Sequence, residues 1–316
     1  MTGKKLKVGV IGVGSLGQWH ARVYSELKNV ELAGVYDIDK KRAEEIAERY
    51  NTKAYTSIES LIPEIEAASV VVPAHKHHEA ACFLMEHDIH LLVEKPIAVT
   101  TTQAEEMAAL AEQRNLILQV GHVERFNPVM KSLEKVLTNP RFIEAHRLAP
   151  YPPARPGTHP RGTEVSVVLD LMIHDLEVIL HLVKSPVREI RAVGVHILSA
   201  SENICNVRLL YECGCVANVT TSRVSPEQMR KIRIFQEDAY ISLDYQNQAG
   251  KIFRKGFMRI DKKDVEVEKG DALENELASF VECVRRKGEP VVDGRQAVNA
   301  LKLAVEICRS IREGAS

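Results

Sequence analysis

From Leu6 to about Gly121 the chain alternates short apolar runs with stretches whose apolar residues recur every three or four positions. Lys7–Ile11 precedes a helical pattern over 16–28, Glu31–Tyr36 one over 40–50, and Ala68–Val72 one over 77–87. His90–Val93 and Leu116–Val120, with a helix over 101–114 between them, extend the series. Strands that are apolar throughout and separated by helices predict a parallel sheet covered on both faces, a doubly wound Rossmann domain over residues 1–122.

After Pro128 the period changes. A helix over 129–138, a proline-rich stretch and an apolar helix over 165–183 lead into β-branched runs that alternate at period two. These runs predict antiparallel strands near 142–149, 187–198, 204–212, 215–224, 231–236 and 239–246, with turns at Gly214 and Gly250. Helices over 272–287 and 294–312 close the chain, so residues 123–316 read as a second domain built on a large, mainly antiparallel sheet. The fold class is therefore α/β plus α+β. The apolar positions Ile204, Val207, Leu209, Val216 and Val219 suggest an open sheet face that pairs two copies, giving a homodimer or homotetramer.

Composition narrows the partners. Lys plus Arg number 42 against 43 Asp plus Glu, a net charge of -1, which gives no field to attract nucleic acid or an anionic membrane. No apolar run is long enough to span a bilayer. The 6 cysteines include no CxxC pair, which reads as reduced thiols in the cytoplasm rather than a disulfide frame or a zinc site. A small molecule is the expected partner.

The first strand runs into Gly12-Val13-Gly14-Ser15-Leu16-Gly17 and then a helix, the arrangement in which glycines admit a dinucleotide pyrophosphate to a helix N-terminus. Asp37 ends the second strand, where a carboxylate accepts both ribose hydroxyls of NAD and repels a 2′-phosphate. Lys40, Lys41 and Arg42 follow it and read either as contacts to such a phosphate or as an exposed first helical turn. Glu94-Lys95-Pro96 ends a later strand and places a lysine at the carboxyl edge of the sheet.

In the 165–183 helix, Asp170, His174, Glu177 and His181 recur at intervals of four, three and four, a stripe that is either solvated or in need of polar partners. A histidine that takes a hydroxyl proton and a lysine that stabilises the developing oxyanion suit oxidation of a secondary alcohol by NAD. Asp170 would orient His174 or hold a neighbouring hydroxyl. No second ligand cluster supports a metal, and His75, His77 and His78 read as one cofactor contact and two surface residues.

Together these motifs resemble the Gfo/Idh/MocA family of NAD(P)-dependent sugar oxidoreductases over essentially the whole length. Gly12-x-Gly14-x-x-Gly17, Pro73 with His78, Glu94-Lys95-Pro96, Arg125-Phe126 and Asp170-x-x-x-His174 carry the resemblance. It implies that Lys95, Asp170 and His174 are catalytic and that Pro73, His78 and Glu94 line the nicotinamide side of the cofactor cleft. The segments 120–128 and 168–175 are similar to the bacterial branch that holds UDP-N-acetylglucosamine 3-dehydrogenases, whose product a partner aminotransferase converts to an amine for lipid A synthesis.

A nucleotide sugar needs cations for its diphosphate. Pro150–Thr163 supplies Arg155, His159 and Arg161 in a segment that reads either as a lid or as a charged surface loop. Arg223, Arg230, Lys231 and Arg233 form a second set, in which Lys231 and Arg233 share a strand face and are more simply solvated. Arg125, just past a parallel strand, is a third contact. Other sugar, inositol or UDP-sugar acid dehydrogenases, and a non-catalytic dinucleotide-sensing regulator, remain alternatives.

Overall fold

The computed structural model describes residues 4–153, 162–163, 165–256 and 260–314. The chain divides into two compact units, one of Met1–Phe126 with Asp271–Val298 and the other of Asn127–Gly270 with Asn299–Ser316.

In the first unit the elements follow one another as β1 (Leu6–Ile11), α1 (Gly17–Glu26), β2 (Val30–Tyr36), α2 (Lys40–Arg49), β3 (Ala54–Tyr55) and α3 (Ile58–Leu61). β4 (Ala67–Val70), α4 (His77–Glu86), β5 (His90–Glu94), α5 (Thr101–Gln113) and β6 (Leu118–Gly121) continue them. The sheet is parallel in the order β3-β2-β1-β4-β5-β6, so the winding reverses between β1 and β4. In such sheets ligands bind beyond the strand carboxyl ends at that reversal. β4 and β6 are buried at every residue, as helices on both faces require.

The second unit contains α6 (Pro128–Glu134), β7 (Pro140–Leu148), a wider π-type turn at Val168–Met172 and α7 (Ile173–Val183). It continues through β8 (Val187–Val195), β9 (Ile204–Tyr211), β10 (Val216–Ser222), β11 (Met229–Gln236), β12 (Ala239–Asp244), β13 (Ala249–Lys255) and β14 (Ile260–Asp264). The eight strands form one sheet in the order β14-β13-β12-β11-β7-β10-β9-β8, antiparallel except where β7 pairs with β10. Helices α8 (Ala272–Arg286) and α9 (Gly294–Gly314) end the chain, and the division between the units falls inside α9. Among the described residues no helix is long and apolar enough to cross a membrane.

The sequence expectation drew one boundary at 122. Instead the chain returns to the first unit, because Leu277, Phe280, Val281 and Val284 on one stripe of α8 pack into the cluster formed by Leu6, Val8, Val10, Ala21 and Tyr24. Two further expectations change. Gly214 does turn the chain between β9 and β10 with φ +84°, but Gly250 lies within β13. The turn before β13 uses Gln248 in the left-handed region instead. The edge strand β14 and its neighbour β13 were not predicted, since Lys251, Arg254, Lys255, Lys262 and Lys263 mask their alternation.

The face assigned to subunit pairing also needs correction. Val207, Leu209 and Val219 are fully buried within their own unit, whereas Ile204 and Val216 point the other way. The outward face carries Asn206, which donates to Asn218 and Thr220, and the Arg233–Glu144 pair at 2.7 Å. Across it runs an aromatic ladder, Phe142–Phe235–Tyr240–Phe253, with ring centroids 5.8, 4.7 and 5.3 Å apart.

Candidate active site

In the first unit the predicted cofactor residues gather at the carboxyl ends of β1, β2, β4 and β5. Gly12 has φ +87°, and a Cβ on it would lie 2.9 Å from the Val71 carbonyl carbon. A Cβ on Gly17 would collide with the Gly12 carbonyl oxygen, so α1 can start this close to β1 only with glycine there. Gly14 is different: the nearest atom to its missing Cβ is Arg42 Nη1 at 3.7 Å. Its backbone is thus approachable from outside, which suits a pyrophosphate. No side chain caps the helix start at Leu16, and an anion satisfies such N–H groups.

Asp37 is anchored beside this loop. Its Oδ2 accepts from Val13 N at 2.8 Å and its Oδ1 from Asp39 N at 2.9 Å, and each oxygen retains a further lone pair for a ribose hydroxyl. Arg42, one of the three cations weighed from the sequence, lies over Gly14 and 3.8 Å from Asp39. These residues fit NAD.

Pro73 precedes a short 3-10 turn that leads into α4. Two of the three nearby histidines were expected at the surface. His77 instead is 1% exposed, its Nδ1 2.9 Å from Pro96 O and its Nε2 2.9 Å from Val72 O. It ties the segment after β4 to the one after β5. His78, the cofactor candidate, faces Glu106 on α5 at 2.8 Å. The first residue of α4 turns back toward the strand ends and the second turns outward, so one position in the helix start decides which histidine is inside.

Glu94 closes β5 with Oε1 3.2 Å from His20 Nε2 and Oε2 accepting from Lys95 N at 3.2 Å. The Lys95–Pro96 peptide is cis. Burial raises the Glu94 pKa, but the His20 hydrogen bond, the His20 and Lys95 charges and the Lys95 N–H outweigh it and leave the carboxyl below its usual range. His122, just past β6, is pushed down to about 3, first by burial and then by the Lys95 charge, with Arg125 adding to it. It is therefore neutral. Arg125 is itself buried, and one of its contacts is Nη2 to Val291 O at 3.4 Å.

The second unit carries the other predicted residues. Asp170 lies in the wide turn, not in the regular helix expected over 165–183. The four-residue step from it to His174 therefore does not follow the same-face spacing of an α-helix. The expected stripe is broken accordingly: Asp170 and His174 are half-buried, whereas Glu177 is buried at 2% exposure. Asp170 meets Arg223, whose Nη2 is 3.8 Å from Asp170 Oδ2 and whose Nη1 donates to Gly162 O. Gly162, at φ +79°, adopts a backbone that strains any other residue, and a Cβ there would sit 2.5 Å from Asp170 Oδ2 and displace the carboxylate.

Arg223, a lesser candidate in the sequence, thus holds the carboxylate of a principal one. Sequence reasoning missed Asp175, whose carboxylate takes a bidentate pair of bonds from Arg147 on β7 at 2.7 and 3.0 Å. It also missed His20, although a lone histidine among Gly17, Ala21 and Tyr24 on the buried stripe of α1 was a readable signal. Arg155 and Arg161 lie outside the described residues.

Comparison with known proteins matches residues 6–122 to the GFO_IDH_MocA family, "Oxidoreductase family, NAD-binding Rossmann fold", and residues 134–242 to the "GFO/IDH/MocA C-terminal domain". The UDP-N-acetylglucosamine 3-dehydrogenase of Acidithiobacillus ferrooxidans is 33% identical over 309 residues, 96% of either chain. Its solved structure superposes with a TM-score of 0.90, covering 97% of this chain and 98% of that one. The myo-inositol 2-dehydrogenase of Thermotoga maritima is 24% identical over 98% of this chain and 97% of its own. A levoglucosan dehydrogenase solved with NADH has a TM-score of 0.89 at 16% identity, covering 98% of each chain, a likeness of fold alone.

Proposed function

The chain belongs to the GFO/IDH/MocA family of NAD-binding oxidoreductases, and from that premise we propose that it oxidises the C3 hydroxyl of UDP-N-acetylglucosamine to the ketone. The observation that carries this reading is the 33% identity, over nearly the whole of both chains, to an enzyme named for that reaction. NAD, when bound, supplies the hydride acceptor.

The chain's own residues supply binding and proton handling. Gly12, Gly14, Ser15, Leu16 and Gly17 receive the pyrophosphate and Asp37 the adenosine ribose, with Pro73 and Glu94 assigned to the nicotinamide side. His174 takes the hydroxyl proton, since an imidazole with a reference pKa of about 6.5 can do so near neutrality. The Lys95 ammonium stabilises the negative charge that develops on the same oxygen. Asp170 orients the substrate or His174, and Arg223 is the cation that pairs with Asp170. Arg125, Arg155, Arg161 and Arg223 are the cations available to a diphosphate.

A keto sugar nucleotide calls for a following amination, so an aminotransferase feeding lipid A synthesis, in the cytoplasm, fits as the next step. Homodimer or homotetramer formation is assigned to the outward face of the eight-stranded sheet, where the aromatic ladder gives an apolar strip. Light scattering that returned a monomer mass at micromolar concentration would defeat that assignment.

The activity test is absorbance at the NADH band with NAD and UDP-N-acetylglucosamine, an aminotransferase and glutamate drawing off the ketone. UDP-glucose, its uronic acid and myo-inositol serve as comparators. Signal confined to the N-acetylglucosamine nucleotide is expected. Signal with inositol alone would move the substrate to the class named for the Thermotoga relative, and silence with every sugar despite NAD binding would favour a dinucleotide sensor. Lys95→Ala and His174→Ala should each abolish turnover and leave NAD affinity nearly intact, because the glycine loop and Asp37 hold the other end of the cofactor.

A further inference from the structure

Within the dinucleotide-binding unit runs a buried chain of hydrogen bonds to which none of the assigned roles refers. Tyr24 OH is 2.8 Å from Ser69 Oγ, Ser69 Oγ is 3.1 Å from His20 Nδ1, and His20 Nε2 is 3.2 Å from Glu94 Oε1. Tyr24, Ser69 and His20 are all at most 1% exposed, so water does not compete for these bonds. The chain joins α1, β4 and β5 and stops one residue short of Lys95.

Its direction follows from chemistry. An ionised carboxylate only accepts, so His20 Nε2 carries a proton. In the tautomer that leaves Nδ1 without a proton, the Ser69 hydroxyl donates to it and Ser69 Oγ accepts from Tyr24. Burial pushes the Tyr24 phenol up, which keeps its proton on. In that arrangement every link donates toward Glu94, and hydrogen bonds aligned in this way strengthen one another. At the far side Glu94 packs against Gly121, where a Cβ would lie 3.1 Å from its carboxyl carbon, so a side chain there would press on the carboxylate.

We propose that His20, backed by Ser69 and Tyr24, is a positioning residue for the lysine: it holds Glu94 ionised in a single rotamer, and Glu94 fixes the Lys95 peptide and sets a negative charge beside it. The inference rests on the reading of Lys95 as catalytic. The Glu94 charge also reaches His77 at the start of α4, His122 after β6 and Glu276 on α8. Of these His122 is neutral, and burial holds Glu276 protonated. The groups that lower the Glu94 carboxyl are His20 and Lys95.

The test uses the full chain with His20→Leu, Ser69→Ala and His20→Gln, the last returning one amide donor. The Glu94 carboxyl is followed directly by carbon-13 NMR of glutamate-labelled protein, with Glu94→Gln identifying the signal. Loss of the His20 donor is expected to raise the Glu94 titration by about one pH unit or more, with Ser69→Ala moving it less and His20→Gln restoring part. In turnover, His20→Leu should lower kcat about tenfold or more, shift the acid limb of the kcat profile upward, and leave NAD affinity and sugar KM within about threefold.

An unchanged Glu94 titration in both His20→Leu and Ser69→Ala would overturn the inference, and so would a kcat loss with no movement of the acid limb. Ser69→Ala keeps the question open to refutation if His20→Leu fails to fold. Lys95→Ala, run alongside, separates the two ideas: turnover in that variant would sink the catalytic reading, while the NMR titration still decides what His20 does to Glu94.

Discussion

Glu276 on α8 is fully buried, and neither of its carboxyl oxygens has a hydrogen-bond partner among the described residues. The one bond near it, from Gln119 Nε2 at 3.1 Å, goes to its backbone carbonyl. An isolated buried carboxylate costs several kcal/mol, so the group takes a proton instead, and burial followed by the Glu94 charge raises its pKa well above 4.5. Because the folded value lies above the unfolded one, the stability attached to the neutral form is fully present below pH 4.5 and is lost as pH rises toward the folded pKa. The slope is about 1.4 kcal/mol per pH unit.

Glu276→Gln keeps the shape and removes the ionisation. Relative to the parent it should therefore gain on the order of 2–3 kcal/mol between pH 4.5 and 6.5, which is roughly 3–5 °C in Tm. Thermal unfolding of both proteins across that range is the assay. The readout is the change in their difference with pH, since any constant offset from the buried amide cancels. Parallel curves would mean that the Glu276 carboxyl is ionised in the fold or reaches a partner, and the reasoning would fail.

Other perturbations probe each unit separately. Gly17→Ala should abolish NAD binding by calorimetry, since its Cβ meets backbone at Gly12 and only displacement of the loop relieves it. Asp37→Asn should narrow the preference for NAD over NADP by about tenfold or more in kcat/KM, by removing the charge that repels a 2′-phosphate. Arg147→Met and Asp175→Leu, each alone, should cost about 3–5 kcal/mol in denaturant unfolding, with the double variant recovering most of it. Additive losses would show that the pair is not coupled.

The first unit was legible because its strands are buried on both faces and its helices on one, a contrast that hydrophobic period records directly. Gly12, Gly14 and Gly17 were legible because the turn they build is local, and Asp37 because a carboxylate ending the second strand has a fixed place in that arrangement. In the second unit the central strands were legible from their alternation, while the edge strand β14 and its neighbour β13 hid because they carry charge where the central strands carry apolar residues.

What the sequence determined by itself was the order of elements, the glycine loop with its acidic partner, and the identity of Lys95, Asp170 and His174 as candidates. Tertiary structure alone decided which sheet face is buried, that α8 returns to the first unit, and that His77 rather than His78 lies inside. It also linked Tyr24 to Ser69, Ser69 to His20, His20 to Glu94 and Arg223 to Asp170, pairs separated by 45 to 74 positions. The physical reason is that period and spacing report only which way a side chain leaves its own backbone. Which distant group waits there is fixed by packing, and a buried polar atom accepts whatever partner the fold delivers.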